Sequence, residues 1–284
     1  MRKILSFLLI VILIFSLSAC SENSMSDREE KRVIAVSILP IAGIIKEVCG
    51  DDFEIIAVIA EGASPETYDP SPELIKKLQN AEVYFAIGIS AEDKILKSFV
   101  SEKTKIIKLQ EEVSKKYSDL KIGNSRDPHI WLSVKRAVII TEKIAEVLSE
   151  INFENSQKYI ENSKNYTKKL NLLDKEIKEL INSKNGKDFI AVHPAFGYFA
   201  EDYSLNMTVL EQDGKSPSPK DLVKLVDFAK KRNIKTVFYQ VQDGVFEAES
   251  FAEEIGGKAV CLDPLGYDYE NNLKDIAIKI AEAI

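Results

Sequence analysis

The segment from residue 155 to residue 184 constrains the fold most, because its thirty residues contain neither proline nor glycine. Apolar side chains recur along it at the spacing that places them on one face of a helix. They are Tyr166, Leu170, Leu173, Ile177 and Leu180. At about 1.5 Å per residue, such a helix is roughly 45 Å long. We predict one long helix that packs along globular lobes on either side and acts as a stiff strut, in preference to an isolated coiled coil.

Short β-rich runs alternate with helical patterns on both sides of this segment, which is typical of parallel sheets covered by helices. We predict strands at 32–37, 53–59, 83–87, 188–192, 235–239 and 258–262. We predict shorter helices at 41–49, 71–79, 219–231, 246–255 and 274–284. The fold class is therefore α/β, with two lobes that each hold a mostly parallel sheet flanked by helices. The predicted domains are an N-terminal lobe at 32–152, the linking helix at 153–186 and a C-terminal lobe at 187–284.

The N-terminal residues predict export and a lipid anchor. A short basic region precedes an uncharged, mostly apolar run of sixteen residues at 4–19, which suits a signal peptide and is shorter than the roughly 20 residues of a transmembrane helix. Small residues stand directly before Cys20, as in a bacterial lipobox, and a polar segment follows. We predict a signal peptide at 1–19, lipidation of Cys20 and a flexible tether at 20–31, with the protein on the extracytoplasmic face of the cell membrane. A plain secretory signal in which Cys20 is incidental is the alternative.

Charge and cysteine content exclude two classes of protein. The 284 residues include 38 basic and 45 acidic side chains, a net charge of −7. An acidic balance argues against nucleic-acid binding, which needs a basic surface. The three cysteines are too few and scattered for a disulfide framework or a zinc ribbon. We expect Cys49 and Cys261 to be buried thiols in separate lobes.

Four short segments each place a metal-capable side chain after a probable strand and beside proline. They are the proline-rich loop of Glu66, Asp-Pro-His129-Ile-Trp-Leu, His193-Pro-Ala-Phe-Gly-Tyr, and Leu-Asp263-Pro-Leu-Gly. Ligands of open α/β sheets bind outside the carboxyl ends of the strands, so strand ends from both lobes are expected to face each other across a cleft. Each segment alone is a weak signal. Together they use both histidines of the chain and indicate one site.

These segments resemble those of the cluster A-I solute-binding proteins, the zinc and manganese receptors of ABC importers. The resemblance covers nearly all of residues 32–284, in the same order. It rests on the segments at 65–68, 127–132, 193–198, 213–219 and 262–266. It implies a receptor that binds a divalent transition metal between two lobes and delivers this cargo to an ABC permease and its ATPase. We expect a monomer that is held at the membrane by its anchor and binds no nucleic acid.

The resemblance implies that the metal ligands are Glu66, His129, His193 and Asp263. Family members normally carry histidine at the first position, so Glu66 leaves two imidazoles and two carboxylates with a charge of −2. His193 favours zinc, because manganese receptors have glutamate there, whereas Glu66 favours a harder ion. We expect Zn²⁺, with Mn²⁺ or Fe²⁺ as alternatives. Two possibilities stay open: Glu66 as an exposed loop residue beside a three-ligand site, and Asp263 as a turn residue.

Two other functions fit the same residues. A zinc hydrolase keeps three protein ligands and an open position for water, with Glu66 as a conceivable base, but the chain has no HExxH pair. A surface adhesin would use the metal only for structure. We predict a binding protein and not an enzyme.

Overall fold

The computed structural model describes residues 31–99, 103–211, 217–242 and 245–284. The predicted signal peptide, the lipidation of Cys20 and nearly all of the predicted tether lie outside the described residues. In the described ranges, no helix combines the length and the apolar character needed to cross a membrane.

Four parallel strands form the sheet of the N-terminal lobe, in the order β2-β1-β3-β4. They are β1 Val33–Val36, β2 Glu54–Ala57, β3 Ala81–Ala86 and β4 Lys105–Lys108. The central strands β1 and β3 are mostly buried, as expected where helices cover both faces of a parallel sheet. The three strands predicted in this lobe are confirmed, with ends that differ by a few residues. The edge strand β4 is an addition, since three of its four residues are exposed and its apolar pattern is weak.

Four parallel strands also form the sheet of the C-terminal lobe, in the order β10-β9-β7-β8. They are β7 Asp188–Ala191, β8 Asn206–Val209, β9 Thr236–Tyr239 and β10 Lys258–Cys261. The predictions at 188–192, 235–239 and 258–262 are confirmed within one residue. The edge strand β8 is again an addition. A short antiparallel hairpin of β5 Lys121–Ile122 and β6 Ser125–Arg126 lies between the two sheets in sequence.

The helices of the described residues cover these sheets. They are α1 Leu39–Cys49, α2 Pro72–Leu78, α3 Glu92–Phe99, α4 Leu109–Ser114, α5 Val134–Ile151, α6 Ser156–Asn182, α7 Gly197–Asp202, α8 Pro219–Lys231, α9 Phe246–Glu254 and α10 Tyr269–Ala283. Helix α8 begins where predicted and α2 begins one residue later than predicted, because each starts with proline after a serine that accepts a backbone N–H of the first turn. Helix α10 begins at Tyr269 and not at residue 274, because the Asp268 side chain caps it by accepting the N–H of Asn271.

The predicted long helix is α6, which follows a 3-10 turn at Phe153–Asn155. Four members of the predicted stripe are buried, whereas Leu180 is only partly buried and Ile181 takes its place. The helix packs against α1, α5 and α10. One continuous core joins residues of both sheets with α5, α6 and α10, so residues 32–284 form one compact unit. The exact lobe boundaries at 152 and 187 remain a prediction.

Polar contacts of α6 tie it to both lobes. Near its start, the Tyr159 hydroxyl donates to Asp52 of the N-terminal lobe at 2.8 Å. Near its end, Asp174 accepts from the Tyr203 hydroxyl of the C-terminal lobe at 2.9 Å. In between, Lys169 lies 3.2 Å from a carboxylate oxygen of Glu47. The helix is therefore a strut fixed at both ends.

The two described cysteines are not joined by a disulfide. Cys49 is fully buried at the end of α1, and burial raises the pKa of its thiol to about 11. Cys261 ends β10 and is only partly buried. The expectation of buried thiols is therefore right for Cys49 and wrong for Cys261, because β10 is an edge strand of its sheet.

Candidate metal centre

Each of the two histidines stands directly before a 3-10 turn. His129 precedes Ile130–Leu132, and His193 precedes Pro194–Phe196. Proline disfavours helical backbone in the residue before it, and His193 is accordingly extended, with φ −101° and ψ 146°. At the other turn, the Asp127 carboxylate accepts the backbone N–H of His129 at 2.9 Å. Local sequence therefore fixes the backbone under both imidazole rings.

The two imidazole rings lie side by side. Their centroids are 5.4 Å apart and their planes meet at 78°. His129 follows the β5–β6 hairpin, whereas His193 follows the central strand β7 of the C-terminal lobe. The His129 side chain is 10% exposed and that of His193 is 12% exposed. The fold thus brings the two histidines of the chain, which are far apart in sequence, together at one place that is nearly closed to solvent.

A carboxylate lies beside Nδ1 of each ring. The distance from Nδ1 of His129 to Oδ1 of Asp127 is 2.7 Å, and that from Nδ1 of His193 to Oε2 of Glu211 is 2.8 Å. A carboxylate in this position accepts the Nδ1 proton, which leaves the lone pair of a neutral imidazole on Nε2. Both rings are therefore arranged to offer Nε2 to a metal ion.

Glu66 reaches the C-terminal lobe from a loop of the N-terminal lobe. The loop turns at Ser64, whose carbonyl accepts the backbone N–H of Tyr68 at 3.1 Å. One carboxylate oxygen of Glu66 lies 3.3 Å from Nε2 of His193. The Glu66 side chain is 55% exposed. Glu66 thus faces Nε2 of His193, and its service as a metal ligand stays a prediction.

Asp263 follows β10 and lies beside the group without joining it. Its carboxylate is exposed and accepts the backbone N–H of Leu265 at 2.8 Å. The next residue, Pro264, accepts the indole N–H of Trp131 at 2.7 Å, and the Trp131 ring lies 5.2 Å from that of His129. Across the described ranges, no three His, Cys, Asp or Glu side chains converge closely enough to cage a metal. The structure places His193 next to both His129 and Glu66. The Asp263 carboxylate is not part of this group and bonds to Leu265 instead.

A second layer of residues holds Asp127 in place. The Tyr198 hydroxyl donates to the Asp127 carbonyl at 3.2 Å and accepts the N–H of Leu120 at 3.0 Å. Burial raises the pKa of Tyr198 to about 12, so its phenol keeps its proton and remains a donor. A Cβ atom at Gly197 would lie 2.8 Å from a carboxylate oxygen of Asp127, so any larger residue there would push that carboxylate aside. This explains the Gly-Tyr pair that follows His193 in the sequence.

Glu211 contacts His193 but is not among the site residues predicted from the sequence. The ladder between β7 and β8 continues past the assigned strands, where the N–H of Leu210 donates to Ala191 and that of Glu211 donates to Val192. The only sequence signal is an acidic residue directly after a short apolar run. The three carboxylates that contact the histidines, those of Glu66, Asp127 and Glu211, carry a formal charge of −3. The surroundings of the imidazoles are thus more acidic than the expected −2 and suit a divalent cation.

Comparison with known proteins settles the family. The profile of the family described as zinc-uptake complex component A, periplasmic, matches residues 34–283. The chain belongs to this family. Membership confirms the expected relation to cluster A-I solute-binding proteins, and the relatives that match are zinc-binding or metal-binding proteins by name and not enzymes.

Individual proteins that are similar to this chain carry names that agree with the family. The zinc-binding protein AdcA of Streptococcus pyogenes serotype M1 is 27% identical over 299 residues, covering 96% of this chain and 58% of AdcA. The chain thus spans little more than half of that relative. A putative metal-binding protein of Chlamydia trachomatis is 29% identical over 278 residues, covering 96% of this chain and 99% of the relative. A crystal structure of ZnuA is 32% identical with a TM-score of 0.83, covering 88% of this chain and 98% of that one.

Proposed function

We propose that this protein is an extracytoplasmic receptor that binds one divalent transition metal ion between its lobes and delivers it to an ABC permease and its ATPase. The observation that carries the proposal is the pair of imidazoles with centroids 5.4 Å apart, each with a carboxylate at Nδ1. Paired nitrogen donors with carboxylates nearby form a competent ligand set for such ions. We take the metal to be cargo, because the family is described as a component of a zinc-uptake complex.

Zinc is the favoured cargo. Two imidazole nitrogens suit zinc better than manganese, which prefers oxygen ligands. A ZnuA deletion mutant whose structure has zinc bound is 31% identical to this chain. The proposed ligands are Glu66, His129, His193 and Asp263. Binding by all four requires the Asp263 carboxylate to leave the N–H of Leu265 and turn toward the histidines.

A lipid anchor at Cys20 would keep the loaded receptor near its permease. The small residues before Cys20 and the polar segment after it support this, as does the zinc-binding lipoprotein AdcA of Streptococcus pneumoniae, which is 28% identical over 281 residues. Stable anchoring takes more than one acyl chain. A Cys20→Ser protein should be exported and released from the membrane. A Cys20→Ser protein that stays fully membrane-bound after export would contradict the anchor.

Elemental analysis followed by metal competition tests the proposed function. Protein that starts at residue 32, purified without added metal and loaded afterwards, should hold one Zn²⁺ per chain and retain it against excess Mn²⁺ and Fe²⁺. A His129→Ala, His193→Ala double variant should lose this ion, since it has no imidazole left. Absence of metal binding, or binding unchanged in the double variant, would contradict the proposal.

A further inference from the structure

Glu211 lies beside His193, the histidine of the C-terminal lobe. Its backbone N–H donates to the carbonyl of Val192 at 3.0 Å, which extends the parallel ladder of β7 and β8 to the residue before His193. Its carboxylate lies 2.8 Å from Nδ1 of His193 and is 19% exposed. The strand ladder thus places the backbone of Glu211 beside His193, and the carboxylate is largely removed from solvent.

The His193 ring lies between two carboxylates, and when the ring is neutral they compete for its one N–H proton. Glu211 faces Nδ1 at 2.8 Å, and Glu66 faces Nε2 at 3.3 Å. A proton on Nδ1 leaves the Nε2 lone pair for a metal, whereas a proton on Nε2 directs an N–H at Glu66 and removes that lone pair. The contact of Glu211 is shorter than that of Glu66, and the Glu211 side chain is 19% exposed whereas the Glu66 side chain is 55% exposed. The geometry therefore favours the proton on Nδ1.

We infer that Glu211 is the positioning residue of His193: it holds the neutral ring in the Nδ1–H tautomer and orients Nε2 toward the metal. The inference rests on the proposed function. Asp127 makes the same contact to His129 from two residues away, within one turn. Glu211 makes it from eighteen residues away, on a neighbouring strand. The two lobes thus orient their histidines by the same chemistry through different parts of the chain.

Two substitutions separate the roles of the acceptor and the charge. Glu211→Gln keeps an oxygen that accepts the Nδ1 proton but removes the charge, whereas Glu211→Leu removes both. Loss of such a hydrogen-bond partner of a metal-bound histidine typically costs 10–100-fold in metal affinity. We expect Glu211→Leu to weaken zinc binding by about that factor, with a smaller loss for Glu211→Gln. Glu253→Leu, on the exposed surface of α9 in the same lobe, is the matched control and should bind zinc like the wild type.

Nitrogen-15 NMR of the untagged protein with labelled histidine reads the tautomer directly, because the chain has only two histidines. In the wild type and in Glu211→Gln, we expect His193 to carry its proton on Nδ1. In Glu211→Leu, the metal-free protein should shift His193 toward the Nε2–H form while His129 keeps its tautomer, which reports an intact fold at the site.

The outcomes separate the inference from the function on which it rests. If the wild type binds zinc and Glu211→Leu binds it equally well, or if Glu211→Leu keeps His193 in the Nδ1–H form, the inference is wrong and the proposed function stands. If the wild type binds no metal, the proposed function fails and the inference falls with it. Weakened binding in Glu211→Leu together with the tautomer change supports both.

Discussion

Arg136 of α5 and Asp202 of α7 form a buried ion pair, with 3.2 Å between Nη1 and Oδ1 and side-chain exposures of 2% and 3%. The Asp202 carboxylate also accepts the hydroxyl proton of Ser133, the residue that caps α5. The Arg136 guanidinium lies 4.2 Å from the centre of the Tyr198 ring. Tyr198 also donates a hydrogen bond to the carbonyl of Asp127, the residue whose carboxylate contacts His129. The cluster therefore joins α5 to the C-terminal lobe next to the candidate site.

Removal of Arg136 should destabilise the protein strongly. An Arg136→Met substitution keeps most of the side-chain volume but leaves Asp202 with only Lys135 and Ser133 as partners, and breaking such a buried pair costs up to about 3–5 kcal/mol in the free energy of unfolding. Lys135 also pairs with Asp202 at 2.5 Å but is 36% exposed, so Lys135→Met should cost about 1 kcal/mol or less. Urea unfolding of the two variants measures the difference. Equal losses would contradict a special role for the buried pair.

Glu92 should make stability depend on pH in an unusual direction. It is 5% exposed at the start of α3, and its carboxylate accepts the backbone N–H groups of Ile87 at 2.7 Å and Gly88 at 2.8 Å. Burial nevertheless raises the pKa of Glu92. A carboxyl group whose pKa is raised by folding stabilises the native state fully at a pH below its unfolded pKa, and this contribution is lost as pH rises through the folded pKa.

A Glu92→Gln variant removes this titration. The unfolding free energy of the wild type minus that of Glu92→Gln should be largest at acidic pH. This difference should fall as the pH rises through the raised pKa of Glu92. Chemical denaturation at a series of pH values measures it, with Asp93→Asn on the exposed neighbouring position as the control. A difference that grows with pH would show that the assigned direction is wrong.

Glu66 stands where the resemblance to the family implies a histidine, and its role decides between a four-ligand site and a three-ligand site. If Glu66 binds the metal, Glu66→Gln should lower zinc affinity at least tenfold, about 1.4 kcal/mol, because a charged ligand is lost from a partly dry site. Glu66→His should restore binding and shift it toward Zn²⁺ over Mn²⁺. His129→Ala and His193→Ala should each lose more affinity than Glu66→Gln, since each removes a nitrogen donor.

Titration calorimetry with both metals measures these effects. Glu61→Gln, an exposed glutamate of the same loop, is the matched control and should bind like the parent. Parental affinity in Glu66→Gln would instead mean that three protein ligands hold the ion and that Glu66 is an exposed neighbour.

The lobes should close only slightly when metal binds. Helix α6 is fixed to both lobes by Asp52 and Tyr203, and the buried Arg136–Asp202 pair adds a second connection. Small-angle scattering of metal-free and zinc-loaded protein should therefore give nearly the same radius of gyration. A rotation of tens of degrees, in scattering or in paired crystal structures, would contradict the strut.

The elements with strong local signals could be predicted from the sequence. Helix α6 has an uninterrupted apolar stripe, and α8 has a serine cap followed by proline. The edge strands β4 and β8 could not be predicted, because their pairing with β3 and β7 is a tertiary property and each buries few side chains. Helix α5 is absent from the predicted elements, although its buried apolar residues follow helical spacing.

Some residues of the candidate site could be predicted from the sequence and others could not. The histidine segments could be predicted because each combines a metal-capable side chain with a turn-forming proline. Glu211 could not be predicted, because it meets His193 only through the pairing of β8 with β7. The turn at Asp263 was located correctly, but its carboxylate bonds within its own loop, a preference of aspartate that competes with any distant partner.

Anomalous diffraction at the zinc absorption edge, from crystals grown with one equivalent of Zn²⁺, locates the ion in the protein. We expect a single zinc peak about 2.0–2.1 Å from Nε2 of both His129 and His193, with a carboxylate completing the coordination. A zinc ion bound elsewhere, or bound at this point through only one of the two imidazoles, would contradict this expectation.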